Sequence, residues 1–261
     1  MAKRSTPSGF SLVELSIVLV ILGLLTGGIL AGQSLIRAAE LRGALNEYQR
    51  YFMSSKSFVD RYFALPGDFS RAQSFWGVSS LPCNTTCTNA QSTGTCNGNG
   101  NGIIEHLGSP NLIQENYYFW QHLALAGLIE GNYTGRCGAA GSINSIPNQN
   151  IPASRLGRGG WNANTYTLTT GHAVHFNIAS NENRMFLGVA QANNWATGAI
   201  MLPEEAWNLD VKVDDGKPAI GNMITRYWDD CTNAVSGATL SADYLLTHRS
   251  PACTIEIKGS F

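Results

Sequence analysis

From Phe10 to Ala31 the sequence is almost uninterrupted apolar residues, and its one charged side chain is Glu14, near the start. About 20 such residues are what a helix needs to span a bilayer, and a helix satisfies its own backbone there. An ionisable group at mid-membrane costs on the order of 3 kcal/mol, less near the interface, and usually has a partner and a function. Glu14 is therefore a candidate functional residue, and its partner is expected from another copy of the chain. Lys3 and Arg4, just ahead of the run, place the N-terminus on the cytoplasmic side. The residues C-terminal to the run then lie outside the inner membrane.

A secretory signal would have a shorter apolar core and a small-residue cleavage site after it, and no Ala-x-Ala-like site stands out here. Instead, Lys3-Arg4 ahead of Gly9, then Phe10, Glu14 and the apolar run, resemble the class III signal sequence of type IV prepilins and type II secretion pseudopilins. The resemblance implies cleavage between Gly9 and Phe10 by a membrane-embedded prepilin peptidase, which then methylates Phe10. It also implies that Glu14 pairs with the terminal ammonium of a neighbouring subunit during assembly. A buried carboxylate and a buried ammonium are each costly alone and much less so together.

Composition fits export. A formal net charge of -1 without a basic stripe gives no reason to expect a nucleic-acid partner. Only 13% of residues are charged and glycine is abundant, as in a loop-rich domain with a neutral polar surface. All six cysteines lie beyond the apolar run, an even number in an oxidising compartment, which predicts disulfides.

The spacing of Leu41, Leu45, Tyr48, Phe52, Ser55, Val59 and Tyr62 predicts one apolar face of an amphipathic helix. Arg37, Glu40, Arg42, Glu47, Gln49, Arg50, Lys56 and Arg61 fill the remainder, and Pro66-Gly67 stops it. Gly23, Gly27, Gly28 and Gly32 permit close helix packing. They either loosen the helix around 23–32 or leave it continuous. A short helix or turn is expected within 65–82, with Phe69, Phe75 and Trp76 as packing anchors.

Asn97, Asn99 and Asn101, with Gly102 and Ile104 next, echo a calcium loop, with Glu105 and Glu115 as further oxygen donors. The twelfth position, however, is Gly108 rather than an acid, and the same residues suit a Gly/Asn turn closed by a disulfide. Calcium is therefore a possible cofactor, and none other is expected. Cys83, Cys87 and Cys96 contain no CxxC pair, which favours disulfides over zinc.

Residues 112–130 read as a largely buried helix ending at Gly131, with His122 a helix-surface or packing residue rather than a ligand. Residues 132–162 read as a surface loop held by Cys137. Strands are expected at 166–169, 173–178 and 185–189, separated by Gly/Asn turns. His172 and His175, three apart on a strand, face opposite sides and do not share a metal. Pro203 to Trp207 starts a helix, and residues 210–216 read as a strand entering an Asp-Gly turn. The acids there suit turn chemistry or a calcium site. The resemblance to type IV pilins favours a Cys231–Cys253 disulfide, and three pairings remain open for Cys83, Cys87, Cys96 and Cys137.

The expected fold is α+β and pilin-like: a long N-terminal helix, half membrane and half amphipathic, packed on an antiparallel sheet with disulfide-bounded loops. Its parts are a leader at 1–9, a membrane or filament-core helix at 10–32, the amphipathic half at 33–64 and a globular domain at 65–261. No Gly-x-Ser-x-Gly, phosphate loop or His-Glu-x-x-His stands out, so no catalytic residue is expected. By resemblance the chain is a structural subunit of a type IV pilus-like or type II secretion pseudopilus filament. The alternative is a minor subunit displaying an adhesin, DNA- or ligand-binding domain. Its partners would be other pilin-like subunits, the prepilin peptidase and an inner-membrane assembly platform.

Overall fold

The computed structural model describes residues 9, 11–83, 87–105, 114–139, 144–166, 176, 182–226 and 230–259. The chain divides into two compact units, Met1–Arg42 and Gly43–Phe261. One helix, α1 (Leu12–Tyr62), supplies residues to both.

In the first unit every side chain from Leu12 to Ala31 is exposed, and the apolar window has a mean hydropathy of 2.4. The helix is unbroken through Gly23, Gly27, Gly28 and Gly32. Its hydroxyls are satisfied internally. Ser16 Oγ donates to Val13 O at 2.9 Å, Thr26 Oγ1 to Leu22 O at 2.9 Å and Ser34 Oγ to Ala31 O at 2.9 Å. Polar side chains folded back on the preceding turn present little unmet polarity to an apolar surrounding.

In the second unit α1 ends at Tyr62. Phe63 takes a left-handed conformation (φ 53°), and Pro66-Gly67 turns the chain away. The buried line is Ala44, Glu47, Tyr51, Ser54, Ser55, Phe58 and Tyr62. It is rotated from the expected face: Leu41, Leu45, Tyr48, Phe52 and Val59 flank it, half-buried. Ser55 and Tyr62 of the expected face stay in the line, and the rotation arises because Glu47 and Ser54 join it with their polar atoms met inside the fold. Glu47 accepts from Ser154 Oγ at 2.7 Å, Arg155 N at 2.9 Å and Trp161 Nε1 at 2.9 Å. Ser54 Oγ donates to Leu128 O at 3.0 Å and Ser55 Oγ to Tyr51 O at 2.8 Å.

The sheet is antiparallel, with strand order β1-β2-β4-β3 from β1 (Gly159–Tyr166), β2 (Glu182–Val189), β3 (Met223–Ile224) and β4 (Ile255–Lys258). β1 and β2 pair along their full length, from Gly159↔Val189 to Tyr166↔Glu182. β1 thus begins seven residues before the strand start expected from sequence. Its Gly-Gly-Trp-Asn-Ala-Asn stretch looks like loop, yet Asn162 and Asn164 are buried, and Asn162 Oδ1 accepts from Ser145 Oγ at 2.7 Å. The 185–189 strand lies within β2. Residues 167–175 and 177–181, including His172 and His175, lie outside the described residues.

The short helix expected within 65–82 is α2 (Ala72–Trp76). The 112–130 helix is shorter, α3 (Glu115–Leu125), and residues 106–113 lie outside the described residues. It stops before Gly131 because Gly127, at φ 71°, closes it. Gly127 N donates to Ala124 O at 2.9 Å and Leu128 N to Leu123 O at 3.0 Å, the Schellman pattern. α3 packs on β1, and Tyr51 of α1 stands edge-on to both Trp120 of α3 and Trp161 of β1. Beyond it Phe58, Tyr62, Phe69, Phe75, Trp76 and His122 form one aromatic cluster.

The reading of 210–216 as a strand is corrected: α4 runs Pro203–Val213 and takes in the first four of those residues. Pro203 is preset for the first helical position, and Glu205 Oε2 accepts from Leu202 N at 2.9 Å. Burial of Ala206, Leu209 and Asp210 on one face then outweighs the alternation Asp210-Val211-Lys212-Val213. The cysteines form Cys83–Cys96, Cys87–Cys137 and Cys231–Cys253.

Candidate functional site

At the start of α1, Ser11 and Glu14 form a capping box. Val13 N donates to Ser11 Oγ at 3.3 Å, and Ser11 N donates to Glu14 Oε2 at 2.8 Å. The first N–H groups of a helix lack intrahelical partners, and the helix dipole favours negative charge there. Glu14 therefore stabilises its own helix while remaining exposed. Gly9 is exposed, and Phe10 lies outside the described residues. Chemically this end offers an exposed carboxylate, held by one local N–H, on a helix whose neighbouring side chains are mostly apolar and all exposed.

The Asn run is organised around a different group. Asn97 Oδ1 accepts from Gln73 N at 2.8 Å, in the first turn of α2. Asn99 Oδ1 accepts from Asn101 N at 3.0 Å, and Asn101 Oδ1 from Ile103 N at 3.0 Å, two Asx turns in succession. The backbone N–H groups of Gly100, Asn101 and Gly102 all donate to Asp68, so the concavity they form holds the protein's own carboxylate. Glu115 accepts from Asn99 N at 2.8 Å and Glu105 N at 2.9 Å, while Asn99 Nδ2 donates to Glu105. The structure thus brings Asn99, Asn101 and Glu105 together with Asp68 and Glu115, and turns Asn97 toward α2. Gly98 has no room for a side chain: a Cβ would sit 2.3 Å from the Asp68 carbonyl carbon.

Burial pushes the Asp68 carboxyl above its usual range, against the three N–H groups. Burial also pushes Glu115 up to about 8, against two N–H groups and with the charges of Asp68 and Glu105 adding to the rise. His122 lies fully buried beside this loop, accepting from Gly67 N at 3.0 Å through Nδ1, with Nε2 3.1 Å from Cys96 O. Burial lowers it to about 4, so it is a neutral packing residue at ordinary pH.

Residues 4–30 match the prokaryotic N-terminal methylation motif. The match spans Gly9, Phe10, Glu14 and nearly all of the exposed apolar stretch of α1. The motif supports a type IV pilin-like or pseudopilin-like protein. No curated protein and no solved structure matches it. The α+β architecture, with its long apolar N-terminal helix, antiparallel sheet and three disulfides, is that of a pilin-like fold. The motif and the one long apolar helix among the described residues fit a single-pass membrane anchor, and the motif points to a structural subunit.

Sequence reasoning missed two internal carboxylates of the domain. Glu47 stood among the solvent-face charges, and Asp68, just after the Pro66-Gly67 stop, was not singled out. Helical spacing from Ala44 and Tyr51 was the available signal for Glu47. For Asp68 it was the consecutive N–H donors of a Gly/Asn run, which need an acceptor.

Proposed function

We propose that the chain is a filament subunit of a type IV pilus-like or type II secretion pseudopilus system, inserted in the inner membrane and cleaved after Gly9. Phe10 becomes the methylated terminus. The apolar half of α1 moves from lipid into a filament core, and Glu14 exchanges its local Ser11 N–H for the N-terminal ammonium of a neighbouring subunit. The globular domain lies in the periplasm and is then displayed on a periplasmic pseudopilus or a cell-surface pilus. The assembly platform and the other pilin-like subunits are its partners. The observation that carries this reading is the motif at residues 4–30 on a helix whose side chains from Leu12 to Ala31 are all exposed, with Glu14 in its first turn.

The deciding experiment is peptide mass spectrometry of the N-terminus from native membranes, with and without the prepilin peptidase. A methylated terminus at Phe10 that depends on the peptidase is expected. An unprocessed chain, or one cut after the apolar run, would remove the assembly reading. The second reading, a minor subunit displaying a binding domain, draws on the size of the globular unit and the three disulfides that staple its loops. Copy number in sheared filaments separates the two, since a structural subunit is abundant and a tip or initiating subunit scarce.

A further inference from the structure

The chain holds three consecutive Asn-Gly pairs, Asn97-Gly98, Asn99-Gly100 and Asn101-Gly102, and no others. Asn-Gly is the dipeptide most open to intramolecular deamidation, because glycine has no Cβ to keep its nitrogen from the asparagine side chain. In that reaction the glycine N–H gives its proton to water and the nitrogen bonds to the asparagine Cγ. The bond from Cγ to the amide nitrogen breaks, and ammonia leaves. Water then opens the cyclic imide to aspartate or isoaspartate, so water is consumed and ammonia released in equal amount.

Asn99, Gly100, Asn101 and Gly102 are exposed, so burial does not keep water from them. The attacking nitrogens are nevertheless all engaged. Gly98 N donates to Phe69 O at 3.0 Å. Gly100 N donates to Asp68 O at 3.0 Å and also to Asp68 Oδ1. Gly102 N donates to Asp68 Oδ2 at 2.8 Å, and no second acceptor takes it among the described residues. Gly100 and Gly102 are left-handed (φ 77° and 84°), which only glycine adopts freely, and this turns both N–H groups onto the one acid. Asp68 itself is 3% exposed. Hydrogen bonds to an ionised acceptor are about twice as strong as neutral ones.

We propose that Asn99 and Asn101 are sites of spontaneous deamidation and that Asp68 keeps them closed, by holding the glycine N–H groups that attack requires to be free. Asn97 is guarded separately, by a main-chain carbonyl. Failure of the lock is one-way. Asn99 Nδ2 donates to Glu105, and conversion to aspartate turns that bond into repulsion, in a group that already holds Asp68, Glu105 and Glu115. Isoaspartate also lengthens the main chain at Asn99, directly after Gly98, where a Cβ would sit 2.3 Å from the Asp68 carbonyl carbon. A loop that opens for long enough to react therefore cannot restore its bonds to Asp68. The Asn run is in this sense a covalent record of opening in an exported domain.

The test incubates the full chain in detergent at mildly alkaline pH and follows the three sites by peptide mass spectrometry, in wild type, Asp68→Ala and Glu115→Gln. In Asp68→Ala, Gly102 N loses its acceptor while Gly100 N keeps the main-chain carbonyl. Deamidation should rise by about tenfold or more at Asn101, where a charge-assisted bond is lost, by less at Asn99, and not at Asn97. Glu115→Gln disturbs the same loop through Asn99 N and Glu105 N but frees no glycine nitrogen, so all three sites should stay near the wild-type rate. Should Asp68→Ala not fold, the wild type carries the test. Amide exchange should show Gly100 and Gly102 protected despite their exposure, and Asn99 and Asn101 should react at least about tenfold more slowly than in the reduced, denatured chain. Folded and denatured rates that agree overturn the proposal. So does an unchanged rate at Asn101 in Asp68→Ala, or a rise shared equally with Asn97. An equal rise in Glu115→Gln overturns it too, because loop packing rather than the held N–H groups would then set the rate.

Discussion

Two glutamates of α1 show how one helix divides its labour. Glu14 caps its own first turn through a single backbone N–H, among side chains that are all exposed. Glu47 is 7% exposed and takes three donors from Ser154, Arg155 and Trp161, more than a hundred residues away in sequence. The first carboxylate has one local, exposed partner, which leaves it exchangeable in the assembly step proposed above. The second has donors only folding can bring together, and its charge is consumed in docking α1 on β1. Position on a helix therefore does not decide what a carboxylate is for; the sequence distance of its donors does.

The largest expected effect breaks this contrast at Glu47. Glu47→Ala leaves the Trp161 indole N–H, the Arg155 amide and the Ser154 hydroxyl without their acceptor. Each buried unsatisfied group costs about 1–3 kcal/mol, so chemical denaturation of the full chain should show a loss on the order of 3–5 kcal/mol. Glu47→Gln keeps an acceptor oxygen and should lose less. A Glu47→Ala chain as stable as wild type would mean that the three donors find other partners, and the contrast with Glu14 would collapse.

The next effect sharpens the contrast through pH. Glu115 is buried like Glu47 but stands beside Asp68 and Glu105, and its folded pKa is raised to about 8. The native state then holds a proton that the unfolded state releases near the ordinary carboxyl value. Stability is fully present below that value and falls as pH rises toward 8, by at most about 1.4 kcal/mol per pH unit. Asp68, shifted in the same direction, adds to the slope. Unfolding temperatures at pH 5, 6.5 and 8 should fall in that order, and Glu115→Gln should flatten the trend. A wild-type chain more stable at pH 8 than at pH 5 would contradict the assignment.

Part of this was legible from the residues alone. The apolar run, its single acid, the stop at Pro66-Gly67 and the α+β architecture come from periodicity and turn chemistry, which are local. The rotated face of α1 was hidden because apolar spacing cannot count Glu47 and Ser54 as core. Their burial depends on Trp161, Ser154 and Leu128, placed by distant parts of the chain. The C-terminal half of α4 was hidden for a related reason: Asp210 to Val213 alternates as a strand does, and a Pro203 start with Leu209 and Asp210 buried overrides it. At the helix start, Ser11-x-x-Glu14 is itself a capping-box pattern, but the cost of a carboxylate in lipid drew Glu14 toward a distant partner and away from the near one.

The smallest effects test whether that near partner matters. Glu14→Ala should leave the denaturation of the globular domain within about 0.5 kcal/mol of wild type, since surface changes away from packed features do little. It should also lower filament incorporation at least about 100-fold, because the neighbouring ammonium is left buried without its counter-charge. Ser11→Ala removes the other half of the capping box and keeps the carboxylate. It should fray the first turn by about 1 kcal/mol, read as faster amide exchange at Leu12 to Leu15, with incorporation largely retained. If Ser11→Ala were as damaging to assembly as Glu14→Ala, the role of Glu14 would be to cap α1. The pairing with a neighbouring subunit would then lose its support, because a carboxylate needed mainly by its own helix is not free to be exchanged.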